Sequence, residues 1–137
     1  MRIFIDANIL FSAAHHTSAT RSLFNGVARH AKLVTNPHAL EEAYRNLAQK
    51  RPEHIAGMKE LQKDIEVSPA FSHVDSAAGL PDHDIPILAG AIGAGCTHIW
   101  TSDKKHFGKW YGRKIHDISI ISSIMLADIL IKKGWKG

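Results

Sequence analysis

The chain begins with MRIFIDANIL (residues 1–10), an apolar run that a carboxylate interrupts at Asp6. Residues 1–5 are apolar except at Arg2, which predicts a short strand buried inside a parallel sheet. Asp6 then stands at the carboxyl end of this strand. Because the residues after it are again apolar, a purely structural reason for a charge at this position is hard to find.

Strand-like and helix-like segments alternate along the rest of the chain. Further strands are predicted at 31–35 (AKLVT), 97–101 (THIWT) and 118–122 (ISIIS). Helices are predicted from two signals, the helical spacing of apolar residues and the presence of helix-capping residues. They are expected at 18–30, from Asn36 and Pro37 onward, at 52–65, at 84–95 and from Ser122 to about Lys132. A loop is predicted at 102–113, and 66–83 is predicted to be either a loop or a short strand followed by a loop. This βα alternation predicts a three-layer α/β/α fold with a parallel sheet of about five strands.

Composition places the chain among ordinary globular domains. It has 137 residues, of which 45% are hydrophobic and 22% charged, so a single domain over 1–137 is expected. The single cysteine, Cys96, excludes an internal disulfide framework and a multi-cysteine zinc site. No apolar stretch is long enough for a membrane helix, and Asp6 breaks any secretory signal. The expected compartment is the cytoplasm.

Four acidic residues occupy positions that should meet at one edge of the sheet. Asp6 and Asp103 follow predicted strands, Asp84 begins the helix that leads into 97–101, and Glu42 lies early in the helix after the second strand. The carboxyl ends of parallel strands and the starts of the following helices share an edge. Clustered carboxylates repel one another, and a hard divalent cation such as Mg²⁺ or Mn²⁺ removes that repulsion. Taken singly, a helix cap, a turn or a solvated helix face explains every one of them except Asp6.

Basic residues surround these acids. The chain carries 17 lysines and arginines against 13 acids, a formal net charge of +4. Lys104 and Lys105 come directly after Asp103. A basic rim beside an acidic, metal-binding pit suits a phosphodiester substrate, and the two lysines are candidate substrate-binding residues.

In their order along the chain, four motifs resemble those of the PIN domain family, the metal-dependent nuclease fold of VapC-type toxins and of RNA-processing factors. The motifs are IFIDANILFSA (3–13), LEEAYRNL (40–47), DIPILAGA (84–91) and TSDKKHF (101–107). The resemblance implies a parallel sheet of five strands between helices. It also implies an enzyme, a ribonuclease that hydrolyses single-stranded or structured RNA and depends on a divalent metal.

The resemblance also implies roles for individual residues. It assigns catalysis to Asp6, Glu42, Asp84 and Asp103. It makes Asp6, Asp84 and Asp103 ligands of Mg²⁺ or Mn²⁺. Supporting roles fall to Asn8, Thr101, Ser102 and Asp82, the last also as a substitute ligand. Two choices stay open, because Glu41 adjoins Glu42 and Asp82 lies close to Asp84.

Several functions are compatible with these features. A toxin of a toxin–antitoxin pair is favoured, because the chain carries no appended RNA-binding module, and such a toxin implies a cognate antitoxin and a homodimer. The alternatives are an RNA-processing nuclease outside such a system, or a non-catalytic scaffold that binds RNA or protein. A phosphoacceptor receiver domain is disfavoured, because it requires an acidic pair after the first strand and Asp6 stands alone.

Ten histidines remain, an unusually high number. His15 and His16 are neighbours in sequence, and adjacent residues do not share a face of a helix. Most of the histidines are therefore interpreted as exposed or partly buried surface residues, and His106 is a candidate phosphate contact together with Lys104 and Lys105.

Overall fold

A computed structural model describes residues 1–72 and 81–137 of the chain. Within these residues, six strands form one sheet. The strands are β1 (Arg2–Ile5), β2 (Lys32–Thr35), β3 (Glu66–Val67), β4 (His98–Trp100), β5 (Lys114–Ile115) and β6 (Ile118–Ile121). The order across the sheet is β3-β2-β1-β4-β6-β5. All neighbours are parallel except β5 and β6, which are antiparallel.

Seven α-helices accompany the sheet in the described part of the chain. They are α1 (Ala7–Ala13), α2 (Ala19–Ala28), α3 (Pro37–Lys50), α4 (Ile55–Gln62), α5 (Ile85–Gly93), α6 (Lys104–Phe107) and α7 (Ser123–Lys132). Short 3-10 turns over Pro52–His54 and Asp82–Asp84 lead into α4 and α5, and one over Gly108–Trp110 follows α6. No helix among the described residues is both long and apolar enough to span a membrane.

The first strand is the centre of the molecule. Ile3, Phe4 and Ile5 are all fully buried. Because successive side chains of a strand point to opposite faces, both faces of the sheet are covered. The predicted three-layer α/β/α fold is therefore confirmed, with a sheet of mostly parallel strands.

The strand order reverses direction beside β1. The chain moves outward from β1 to β2 and β3, then returns to the other side of β1 to place β4 and β6. In open α/β sheets, ligands bind at the carboxyl ends of the strands where this reversal occurs. Here that point lies between the ends of β1 and β4, which Asp6 and Thr101 follow directly.

Three elements depart from the sequence predictions. Helix α1 was not predicted, because a short apolar segment after a buried strand fits helix and strand periodicity equally well. Asp6 begins this helix by accepting a hydrogen bond from the Ala7 amide. Helix α6 lies in a predicted loop. The sixth strand, β5, joins β6 through His116 and Asp117, both at positive φ. Two such residues define a type I′ hairpin turn, which is usually signalled by Asn-Gly rather than by His-Asp.

Predicted helix starts are confirmed at two positions and corrected at a third. Asn36 accepts a hydrogen bond from the Ala39 amide and Pro37 opens α3. Ser122 caps α7 in the same way through the Met125 amide. By contrast, neither Asp82 nor Asp84 makes a side-chain capping bond in the described structure, so the simplest structural explanation for an acid at Asp84 is removed.

Helices α1 and α4 approach closely at a glycine. A Cβ atom added to Gly57 would lie 2.0 Å from the carbonyl oxygen of Ala14, which is backbone and cannot rotate away. We expect Gly57→Ala to lower the free energy of unfolding by about 2 kcal/mol, although alanine favours helices, because overpacking forces the backbone to shift. Gly108→Ala is the control, since its Cβ would lie 3.8 Å from the nearest neighbour. Urea unfolding of both variants measures the difference, and equal stabilities would contradict the prediction.

Candidate metal centre

Asp6 is a buried carboxylate held by three donors. Only 4% of the residue is exposed. Its Oδ1 accepts a hydrogen bond from the Ala7 amide at 2.7 Å. Its Oδ2 accepts from the Thr101 hydroxyl at 2.8 Å and from Asn8 Nδ2 at 3.3 Å. The carboxylate is therefore fixed in one orientation at the end of the central strand.

The environment of Asp6 disfavours its charged form. The pKa of Asp6 is raised to about 6, chiefly by burial and in smaller part by the negative charges of Asp84 and Glu42. The hydrogen bonds from Thr101 and Ala7 lower the same pKa but do not compensate. Asp6, Asp84 and Glu42 are thus close enough for their charges to interact. A site with this surplus of negative charge favours a bound cation.

The residues after β4 are tied to those after β1. The Thr101 hydroxyl also accepts a hydrogen bond from the Asp103 amide at 3.1 Å. Asn8 Oδ1 accepts from the Ser102 amide at 3.1 Å. The Tyr111 hydroxyl donates to the Thr101 carbonyl at 2.9 Å. Thr101 and Asn8 therefore fix the position of Asp103 relative to Asp6. Two carboxylates that bind the same ion must be held in such a fixed relation.

A second group of acids lies at the same edge. His106 Nδ1 is 2.8 Å from Asp84 Oδ2 and 2.8 Å from Asp103 Oδ2. One ligand atom from each of these three residues lies within 4.8 Å of the other two, a spacing that could hold a metal ion. Asp84 is buried, while Asp103 and His106 are partly exposed. A site with one buried ligand and two partly exposed ligands is open to a cation from solution.

Sequence reasoning did not place His106 in this group. The available signal was its spacing from Asp103, because residues three apart on a helix are neighbours. Asp103 Oδ1 accepts a hydrogen bond from the His106 amide at 3.1 Å and so begins α6. The predicted loop concealed this helical register.

Glu42 and Glu41 point in different directions from α3. Glu42 is half-buried, and its charge acts on Asp6. Glu41 is exposed and forms an ion pair with Arg45 at 3.2 Å. Asp82 is exposed in the turn before Asp84 and is not part of the group formed with His106.

One buried side chain ties α3 to α5. Asn36 caps α3 with Oδ1, and its Nδ2 donates a hydrogen bond to the Pro86 carbonyl in α5 at 3.2 Å. Gly90 leaves room for this amide, since a Cβ there would lie 2.4 Å from Asn36 Nδ2. The helix that carries Glu42 and the helix that Asp84 precedes are therefore held in a fixed relation.

A polar cleft opens beside the acids. It has a volume of about 230 Å³ and is lined by Asn8, Phe11, Ser12, Asn46, Lys50 and Ser102. On the other side of Asp103, Lys104 and Lys105 are exposed on α6. Phe107 at the end of α6 is fully buried and anchors this helix in the core.

The donor set fits a divalent cation. Asp84 and Asp103 offer carboxylate oxygens of the kind that Mg²⁺ and Mn²⁺ prefer, and His106 adds an imidazole nitrogen. The observation that supports this fit is the grouping of their ligand atoms within 4.8 Å of one another. Asp6 is not a member of this group, but it lies close enough for the charge of Asp84 to raise its pKa.

Comparison with known proteins identifies the fold of the chain. No protein-family model and no curated protein matches the chain in sequence. Eleven chains of solved structures resemble it, among them the following three. VapBC2 from Rickettsia felis, bound to a DNA fragment from its promoter, aligns at a TM-score of 0.62 with 14% identity over 89% of this chain and 98% of its own. VapC20 from Mycobacterium tuberculosis, described as a sarcin–ricin loop cleaving toxin, gives 0.56 with 13% identity over 78% and 94%. PAE2754 from Pyrobaculum aerophilum gives 0.63 with 18% identity over 96% of both chains.

These neighbours define the class of fold. The chain has a PIN-domain fold, which confirms the resemblance that its four acidic motifs indicate. At 13–18% identity the likeness concerns the fold alone.

Proposed function

We propose that this protein is an endoribonuclease that depends on Mg²⁺ or Mn²⁺ and acts as the toxin of a toxin–antitoxin pair. One observation carries the proposal: Asp84, Asp103 and His106 bring ligand atoms within 4.8 Å of one another, and Asp6 lies buried where the strand order reverses, within a PIN-domain fold. Two of its structural neighbours are a VapBC complex and an RNA-cleaving VapC toxin. The substrate is single-stranded or structured RNA.

Asp6, Asp84 and Asp103 would hold the cation, with Glu42 as the fourth catalytic acid. When bound, a divalent cation offsets the charge on the reacting phosphate and supplies an activated water. Thr101 and Asn8 orient Asp6 through hydrogen bonds to Oδ2. Ser102 holds Asn8 in turn through its amide. These contacts reduce the reorganisation that the site needs during the reaction.

The substrate would approach over positive and polar groups. Lys104 and Lys105 directly follow Asp103 and are exposed, and Asn46 and Lys50 line one cleft together with Asn8 and Ser102. Phosphates that bind these lysines would hold the strand with one phosphodiester at the carboxylates.

A toxin of this kind requires an inhibitor in the cytoplasm, where it would act. We propose an antitoxin that covers the acidic edge with a segment that orders on binding. A homodimer completes the proposed assembly.

The proposal is tested by incubating the purified chain with labelled RNA, both a single strand and a stem-loop. Cleavage is expected with Mn²⁺ or Mg²⁺ and is expected to stop in excess EDTA, because metal removal leaves the carboxylates without their cation. Restoring the metal should restore cleavage. Binding of RNA without cleavage in either metal would instead favour a non-catalytic scaffold.

The two lysines after Asp103 are expected to control RNA affinity. Changing both to alanine in Lys104→Ala/Lys105→Ala should weaken binding and reduce the slope of log affinity against log salt by about 1.4, because each phosphate contact on a single strand contributes about 0.7. Lys132→Ala/Lys133→Ala removes the same charge from the exposed end of α7 and is the matched control. Filter binding at several salt concentrations measures both slopes. If the two double variants have equal slopes, Lys104 and Lys105 do not contact the substrate.

A further inference from the structure

A pair of histidines lies outside the proposed catalytic site. His15 follows α1, and His54 ends the 3-10 turn before α4, 39 residues later. His15 Nδ1 is 2.8 Å from His54 Nε2, and the two rings meet edge to face with centroids 4.4 Å apart. His16 stacks on the other side of His15. Helix α1 is about 10 Å long and begins at Asp6, so this pair lies beyond its opposite end.

A threonine prepares His15 for ligation. Thr17 Oγ1 lies 2.6 Å from His15 Nε2. When Nε2 donates its proton to this hydroxyl, Nδ1 keeps a lone pair, which points toward His54. Metal-binding histidines are arranged in this way, with one ring nitrogen donating to an oxygen and the other free to bind the metal.

The distance between the two nitrogens is close to that of a zinc site. Zinc binds histidine nitrogen at 2.0–2.1 Å, which puts two nitrogens of a tetrahedral site about 3.4 Å apart. His15 Nδ1 and His54 Nε2 reach that separation by opening about 0.6 Å. Both residues lie in connecting turns near the surface, so small rotations of the side chains are sufficient.

Carboxylates are present to complete the site. A cavity of about 480 Å³ adjoins the pair, and Glu53 and Glu60 line it together with His16. Glu53 is exposed, precedes His54 in the chain and lines the same cavity as the pair. Two imidazoles and one carboxylate form a donor set that zinc takes in proteins.

We propose that His15 and His54 bind a divalent transition metal ion of the zinc class, with Glu53 as a third ligand. The ion would join the α1–α2 connection to the start of α4, beside the close approach of Gly57 to Ala14. Nitrogen ligands select a different class of cation from the oxygen-rich group at Asp84 and Asp103. The inference does not depend on ribonuclease activity.

The test is a calorimetric titration of the untagged, chelator-treated chain with Zn²⁺. An Asp84→Asn/Asp103→Asn background removes the carboxylate group and isolates the histidine pair. One equivalent of Zn²⁺ is expected to bind in this background. His15→Ala and His54→Ala should each weaken the affinity at least about tenfold. Co²⁺ should produce the visible absorption of a tetrahedral site in the background protein and not in either variant.

His38→Ala is the matched control, because His38 is an exposed histidine on α3. It should bind Zn²⁺ like the background protein, and circular dichroism establishes that each variant is folded. The proposal is overturned if no Zn²⁺ binds in the background at micromolar concentration. It is also overturned if His15→Ala and His54→Ala bind as tightly as His38→Ala, since the pair would then be only a hydrogen bond. Loss of RNA cleavage in any of these proteins bears on the ribonuclease proposal alone.

Discussion

Asp6→Asn is expected to reduce RNA cleavage at least about 100-fold. Asparagine keeps the size of the side chain and one acceptor for the Ala7 amide, but it removes the charge at the end of the central strand. Losing a residue that only orients a metal ligand typically costs 10–100-fold, so losing a ligand should cost at least as much. The measurement is the initial rate of cleavage of labelled RNA in Mn²⁺.

The control for this variant is Asp128→Asn, which removes an exposed carboxylate on α7. It should cleave at the wild-type rate. The same comparison also detects a contaminating nuclease, because contamination would affect both proteins equally. If folded Asp6→Asn protein cleaves RNA as fast as Asp128→Asn, Asp6 is not a catalytic residue.

Asp6→Asn should also make the metal-free protein more stable at pH 8. The ordinary pKa of this carboxyl is 3.8, and in the folded chain it is raised to about 6 by burial and by neighbouring acids. Between these values the folded state binds more protons than the unfolded state, so wild-type stability falls as the pH rises. A difference of this size is worth about 3 kcal/mol above pH 6. The asparagine amide in the variant places a donor near the Asn8 Nδ2 donor, which offsets part of this gain in stability. The free energy of unfolding is therefore expected to rise by about 1–3 kcal/mol.

Urea unfolding in EDTA at pH 4 and pH 8 measures this effect. The variant should gain over wild type at pH 8 and lose that advantage at pH 4, where Asp6 is largely protonated in the folded state. Other titrating groups cancel in the difference between the two proteins. Adding Mn²⁺ should stabilise the wild type more than the variant. A variant less stable than wild type at pH 8 would show that the charge on Asp6 is compensated in the folded chain.

The buried centre of the fold was predictable because its signals are local. Residues 1–5 are apolar except at Arg2 and are followed by Asp6, and Asn36 with Pro37 marks the start of α3, so β1 and α3 were expected from the sequence. The type I′ hairpin at His116 and Asp117 was not expected, because the two central positions of such a turn are usually occupied by Asn-Gly and not by His-Asp. Helix α1 was missed for a different reason. A short apolar segment between a buried strand and a turn fits the periodicity of a strand and that of a helix equally well.

The sequence placed four acids at one edge through strand ends and motif spacing. Of these, Asp6, Asp84 and Glu42 interact through their charges, and Asp84 and Asp103 share a contact with His106. His106 depends on a four-residue helix, too short for periodicity to reveal. The histidine pair was equally hidden, because His15 and His54 come from turns 39 residues apart and only the packing of α1 against α4 brings them together.

The two ends of the sheet have a consequence for self-association. In the described part of the chain both edges, β3 and β5, are only two residues long. A long edge strand exposes a row of unpaired amides and carbonyls that recruits further chains. Edges this short offer few such groups, so strand-to-strand polymerisation through the described edges is disfavoured. The same shortness favours partners that bind helix surfaces and loops over partners that extend the sheet.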